Sequence, residues 1–165
     1  MSDKNAAIVI AVSDYQRASK LPACKNDGSL IRDILRESGR FKPDNIFYAD
    51  TGTDSGTIKT ELPKFIEELR RQHSSLEEVF FYFSGHGMFD GNDFYHVLTD
   101  YDSTKLNQTC LSNKELDGLL RSLSPALAVK VIDACESGTS YIKSPEEIQK
   151  ALKISEQHFK KCYFM

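Results

Sequence analysis

Apolar and polar positions along this chain come in blocks of differing period. Residues 6–12, Ala-Ala-Ile-Val-Ile-Ala-Val, are continuously apolar and read as a strand buried on both faces. Residues 26–39 switch to helical spacing, with Leu30, Ile31, Ile34 and Leu35 on one face and Gly39 as the stop. Residues 45–49 read as a short strand, and 52–57, Gly-Thr-Asp-Ser-Gly-Thr, as a surface loop. Ile58, Leu62, Phe65, Ile66 and Leu69 make a second helical stripe, which Pro63 must kink unless the helix starts late. Residues 77–85 form the strongest strand pattern, and 93–99 a strand of mixed pattern. Ser112 and Glu115 make a capping box for a helix with Leu116, Leu119, Leu120 and Leu123 inside. Residues 127–133 read as another buried strand. Ser144 and Glu147 repeat the capping box, with Pro145 at the first helical position, for a helix to Phe159. Residues 162–165 begin a last strand.

Strands alternating with helices predict an α/β fold: a mostly parallel sheet with helices on both faces, as one domain over residues 1–165. No internal repeat or low-complexity segment interrupts it. A strand starting at Cys162 would leave an edge with unpaired backbone and apolar side chains, so further strands are expected from another segment or piece.

Composition narrows the function classes. The 165 residues are 40% hydrophobic and 27% charged, enough to build a core, and the net charge of −3 offers no basic field for nucleic acid. The longest apolar run is far too short to span a bilayer, and the polar opening Met-Ser-Asp-Lys-Asn lacks a secretory leader pattern. A cytoplasmic protein is expected, with neither membrane nor nucleic acid as partner. Four cysteines, Cys24, Cys110, Cys135 and Cys162, are widely spaced, without a Cys-x-x-Cys pair or a zinc-ligand histidine offset. Each is therefore a small core residue or a reactive thiol. Phosphate-cradling glycine motifs are absent.

In parallel α/β sheets, functional groups collect beyond the carboxyl ends of the strands. Three segments leave those ends: 13–27, the Ser-Gly-His-Gly segment from Ser84, and Asp-Ala-Cys-Glu-Ser-Gly at 133–138. Parallel pairing makes His86 and Cys135 neighbours although they lie 49 positions apart. Taken alone, each segment is bland: a glycine turn with a surface histidine, and a strand end with a core cysteine. Together they suit thiol chemistry, because a thiolate is the nucleophile and an imidazole can take its proton and later protonate a leaving amine. Gly85 and Gly87 allow close backbone approach, and an N–H there can stabilise an oxyanion. Ser84 reads as a turn hydroxyl, since no nucleophile elbow surrounds it.

Phe-Tyr-Phe-Ser-Gly-His-Gly at 81–87, followed by Val-Ile-Asp-Ala-Cys-Glu-Ser-Gly at 131–138, resembles the caspase-like cysteine proteases. The Asp-x-Cys-x-Ser-Gly form is similar to the metacaspases and bacterial caspase-like proteins. So is the opening, with Asp14-Tyr15, then Leu21, Cys24 and Asn26-Asp27. The resemblance covers residues 6 to 140 and implies a caspase-like three-layer sandwich. It implies His86 as general base and acid, Cys135 as nucleophile, and the N–H groups of Gly87 and Cys135 as the oxyanion hole. Asp27 and Asp133 match the specificity pocket. Two carboxylates there would welcome Arg or Lys, Arg with bidentate geometry, so cleavage is expected after basic residues of a protein or peptide substrate. Asp27 as a helix N-cap and Asp133 as a loop-orienting residue are the bland alternatives.

The family normally adds small-subunit strands after this region, and 139–161 matches its inter-subunit segment. Lys143, Lys150, Lys153, Lys160 and Lys161 there offer points for self-processing. No cofactor or bound metal is expected for the chemistry. Asp90, Asp93, Asp100 and Asp102 offer carboxylates for calcium, which some metacaspases require, although Asp-Gly-Asn-Asp lacks the full EF-hand pattern. His73, His96 and His158 read as structural or surface residues, and Cys24 and Cys110 as buried. Rival readings are a catalytically incomplete caspase-like scaffold, or a legumain-like or separase-like protease.

Overall fold

The strand predicted at 6–12 forms as β1, Asn5–Ala11, and every one of its residues is buried. Its continuous apolar pattern follows from cover on both faces. Ala6, Ile8 and Ile10 pack on one side of the sheet, Ala7 and Val9 on the other. The structure, a computed structural model, describes residues 2–90, 93–136 and 159–164, with the main chain alone at Cys135, Glu136 and Phe164. The helix expected from Ser144 lies outside the described residues, apart from its end at Phe159.

β1 pairs in parallel with β2, Ile46–Ala49, and with β3, Glu78–Asp90. β3 pairs in parallel with β6, Leu127–Glu136, which pairs in parallel with β7, Cys162–Phe164. Helix α1, Pro22–Glu37, connects β1 to β2, and α2, Ser55–Gln72, connects β2 to β3 in the opposite direction along the sheet. Right-handed crossovers then require the two helices on opposite faces. Ile31 and Leu35 of α1 indeed pack with Ala7, Val9 and Tyr82, while Ile58, Leu62, Ile66 and Leu69 of α2 pack with Ile8, Ile10, Phe81 and Phe83. The result is the expected mostly parallel sheet between two helical layers.

Several boundaries differ from the sequence reading, each for a physical reason. α1 starts at Pro22, earlier than the expected residue 26, because proline suits the first helical position, where its missing N–H costs nothing. Asp27 is therefore a second-turn residue and not the N-cap. Gly28 lets this helix approach β1, since a Cβ there would lie 2.5 Å from the Ala11 Cβ. Ser55 to Thr57 belong to α2, not to a surface loop, because the Asp54 carboxylate caps the Thr57 N–H at 2.9 Å. Pro63 sits inside that helix, so the late start does not occur. Ser112 caps α4, Asn113–Ser122, by accepting from the Glu115 N–H at 3.0 Å, as the capping box implied.

The largest difference concerns β3 and β6, which do not turn at Ser84 and Asp133. β3 runs on to Asp90 and β6 to Glu136. Past the end of β1, β3 gains a new neighbour, the antiparallel β4, Asp93–Val97, which pairs in turn with β5, Cys110–Ser112. Short α3, Leu106–Thr109, precedes β5. Among the described residues no helix is long and apolar enough to cross a membrane.

Two buried polar groups stand on the α2 and α4 side. Lys130 of β6 is 0% exposed and donates to the Asn113 Oδ1 at 2.7 Å and to the Asp117 carboxylate, both on α4. Burial pulls its ammonium below the ordinary lysine pKa, against the attraction of Asp117. His96 of β4 is also fully buried, with ring contacts to Phe81, Phe83 and Phe94. Its Nδ1–H donates to the Leu111 carbonyl at 2.9 Å, and Nε2 has no hydrogen-bond partner. Desolvation holds the ring neutral, with a pKa pushed down to about 3.

Removing one partner of a buried ion pair leaves the other charge uncompensated. Lys130→Met should lose ~3–5 kcal/mol in denaturant unfolding, and adding Asp117→Leu should recover most of it. Losses that simply add would show that the two groups are uncoupled. His96 contributes acid sensitivity: its folded pKa lies below the unfolded value, so the unfolded chain binds the extra proton and stability falls as pH drops from ~6.5 toward 3. Between pH 7 and 5, wild type should lose ~2 kcal/mol more than His96→Phe in urea melts. Equal losses would reject a neutral buried His96.

Candidate active site

The strand order reverses at β1, with β2 on one side and β3 on the other, so a crevice opens beyond the carboxyl ends of β1 and β3. The chain leaving β1 stays close to it. The Val12 N–H reaches the Ser84 carbonyl at 2.9 Å, Gln16 N–H the Thr99 carbonyl at 2.9 Å, and Leu21 N–H the Ser13 carbonyl at 2.8 Å. These bonds hold residues 12–21 over the crevice before α1 begins.

His86 lies in this crevice and is 3% exposed. Its Nε2 is 2.8 Å from the Ser19 carbonyl oxygen. A carbonyl only accepts, so Nε2 carries the hydrogen and the basic lone pair of the neutral ring is at Nδ1. The ring also packs against Tyr15, with centroids 4.6 Å apart. Across the ladder, the register pairs Ser84 with Asp133, His86 with Cys135 and Gly87 with Glu136. Paired positions on parallel strands share a side of the sheet. His86 and Cys135 are thus brought together inside paired strands, not on the separate turns that the sequence suggested.

Gly85 and Gly87 are required by packing. A Cβ at Gly85 would lie 2.6 Å from the Tyr15 hydroxyl, and one at Gly87 would collide with the Phe94 ring. Successive N–H groups along a strand alternate in direction. The His86 N–H points to the β1 side, where Tyr15 accepts it at 2.8 Å, so the Gly87 N–H faces β6.

The two predicted pocket carboxylates both act on Tyr82, Asp133 through a hydrogen bond and Asp27 through its charge alone. Tyr82, 4% exposed beneath α1, donates its phenol hydrogen to Asp133 Oδ2 at 3.4 Å. Burial first, and the negative charges of Asp133 and Asp27 in addition, push its pKa up to about 12. Asp27, half-buried on α1, is therefore on the same side as Asp133. Three of the four acidic residues, Asp93, Asp100 and Asp102, are otherwise employed. Asp100 accepts the Ser55 N–H and hydroxyl at 2.8 and 2.6 Å. Asp102 accepts from Thr104 and Arg17, which hold its carboxyl down at about 2. Asp93 accepts from the Phe94 and Lys114 N–H groups. Among the described residues no three His, Cys, Asp or Glu side chains gather as a metal site.

Cys24 and Cys110 are buried, as expected, and His96 is a core residue. The sequence reading missed the Ser19 carbonyl and Tyr82. A main-chain acceptor has no residue signature, so Ser19 was illegible. Tyr82 carried a signal, a phenol among apolar neighbours in a central strand, which calls for a buried partner.

The caspase domain family matches residues 4–161. No curated protein matches the chain. With a mostly parallel sheet between helical layers, and with that match over nearly its whole length, the chain belongs to the caspase domain family of cysteine peptidases.

Proposed function

We propose that this chain is the catalytic portion of a metacaspase-type cysteine endopeptidase that cleaves proteins after Arg or Lys, with His86 and Cys135 as its dyad. The observation that carries this reading is the register pairing of His86 with Cys135 on adjacent strands. Cys135 gives its thiol proton to His86 Nδ1, and the thiolate attacks the scissile carbonyl carbon. The resulting oxyanion is held by the N–H groups of Gly87 and Cys135. The Gly87 N–H faces β6, so the last β6 residues must open for it to reach substrate. As the C–N bond breaks, His86 returns the proton to the leaving amine, and a thioester remains. His86 then takes a proton from water, hydroxide adds to the thioester, and collapse releases the acid and the Cys135 thiol. Ser19 holds the imidazole tautomer throughout by accepting from Nε2–H.

Asp27 and Asp133 are the pocket for the basic side chain. Their common neighbour Tyr82 supports this, since two carboxylates flanking one phenol leave acceptors for a guanidinium fork. A small-subunit segment is the proposed partner. An apolar groove of about 380 Å³ beside α1, lined by Ile34, Leu35, Phe80, Leu127 and Val129, supports it. Self-processing at the lysines of 139–161 follows from the same acidic pocket. Residence in the cytoplasm fits the buried, unbridged thiol of Cys110.

Fluorogenic peptides ending in Arg, Lys or Asp, assayed with and without calcium, test the reading. Turnover is expected after Arg and Lys only, and Cys135→Ala should abolish it. Asp133→Asn and Asp27→Asn should each lower kcat/KM for Arg substrates by ~10²-fold. Cleavage after Asp would overturn the pocket. Absence of turnover even with the remaining family strands supplied would favour an incomplete scaffold.

A further inference from the structure

On its β1 side, β3 lacks a strand neighbour at two positions. The β1 pairing ends at Ala11 opposite Ser84, and the β4 pairing begins at His96 opposite Gly87. Gly85 and His86 fall in the gap. A main-chain N–H there, in a site this buried, needs an acceptor. One side-chain atom fills the gap: the Tyr15 hydroxyl accepts the His86 N–H at 2.8 Å and directs its own hydrogen to the Val97 carbonyl, at the end of β4, at 3.5 Å. Tyr15 is 6% exposed, and its ring lies against the imidazole at 4.6 Å. Gly85 has no side chain where this oxygen sits, since a Cβ would come within 2.6 Å of it.

We propose that Tyr15 is the positioning residue for His86, its hydroxyl standing in for the missing strand where β1 leaves the sheet and β4 has not yet joined. This rests on the reading of His86 and Cys135 as the dyad. The hydroxyl fixes the His86 main chain, and the Ser19 carbonyl fixes the ring, so both anchors come from the segment that follows β1. The two act together, because a ring held at one nitrogen still swings if its Cα shifts. Misplacement of a reacting group by about 1 Å can cost ~10² in rate. The electron-rich face of Tyr15 beside the imidazole also favours the imidazolium that forms when Cys135 loses its proton. Burial raises the Tyr15 phenol pKa far above the range in which a histidine titrates, so the hydroxyl stays neutral through the cycle.

The test needs no substrate. Iodoacetamide alkylation of Cys135 is followed against pH on the full chain, reading the Cys135 peptide by mass spectrometry, for wild type, His86→Ala, Tyr15→Phe and Gly85→Ala. His86→Ala should move the profile up toward that of a free thiol, near pH ~8.5. Tyr15→Phe, which keeps the ring and deletes the acceptor, should move it part of the way, by about half a pH unit, with kcat on an Arg peptide down ~10-fold and KM within about twofold. Gly85→Ala displaces the same hydroxyl and also presses on the Phe83 ring, which its Cβ would meet at 2.9 Å, so it should move the profile in the same direction and at least as far, a second route should Tyr15→Phe not fold. Tyr15→Phe superimposing on wild type while His86→Ala differs would overturn the role of Tyr15 and leave the dyad standing. His86→Ala superimposing on wild type would overturn the dyad, and the Tyr15 role with it.

Discussion

The pairing of β3 with β6 is the constraint on which the site depends. It runs without a break from Glu78 opposite Leu127 to Gly87 opposite Glu136. A slip of one residue would send every β6 side chain to the opposite face of the sheet. Val131 would leave the apolar layer under α1, and Lys130 would lose Asn113 and Asp117 on the other side. The cost of stranding that ammonium fixes the register several residues before the chemistry. Position 135 falls opposite His86 because Lys130 falls opposite Phe81 with its ammonium on Asp117.

Both strands carry their functional residues past the point where the first strand ends. This gives rigid main chain at the reacting positions, which holds geometry better than a turn would. It also creates a local defect, the gap on β3 between β1 and β4. The segment after β1 closes the gap with a hydroxyl and closes the crevice with a carbonyl. A loop connecting a strand to a helix thereby becomes the outer support of the histidine.

The two histidines on these strands show how burial divides roles. His96, enclosed by three phenylalanine rings, is held neutral by desolvation and can only donate to Leu111. His86 sits at the crevice with its ring fixed by Ser19 and with Cys135 of β6 across the ladder. On the same face, Tyr82 donates to Asp133 and feels the charge of Asp27, which comes from a helix distant in sequence. That side of the sheet is acidic, and the Lys130 ion pair lies on the other side.

The sequence alone determined the alternation of strands and helices, the two-faced burial of β1 and β3 and the cap of α4, and it singled out His86, Cys135, Asp27 and Asp133 as the proposed site. Period and capping chemistry are local properties, so they are legible along the chain. Where elements end was not legible in the same way. α1 began before its apolar stripe because Pro22 and not the stripe sets its start, and β3 and β6 ran through glycine and acidic residues that read as turns. Strand continuation depends on partners, and the partners of Gly87 and Asp133 lie in β4, β6 and β3 itself. The tertiary structure also decided that Tyr15 and Ser19 bond His86, that Tyr82 donates to Asp133, and that Lys130 is buried. Each is a contact across many residues, set by which atoms the fold brings within reach, and no local pattern encodes it.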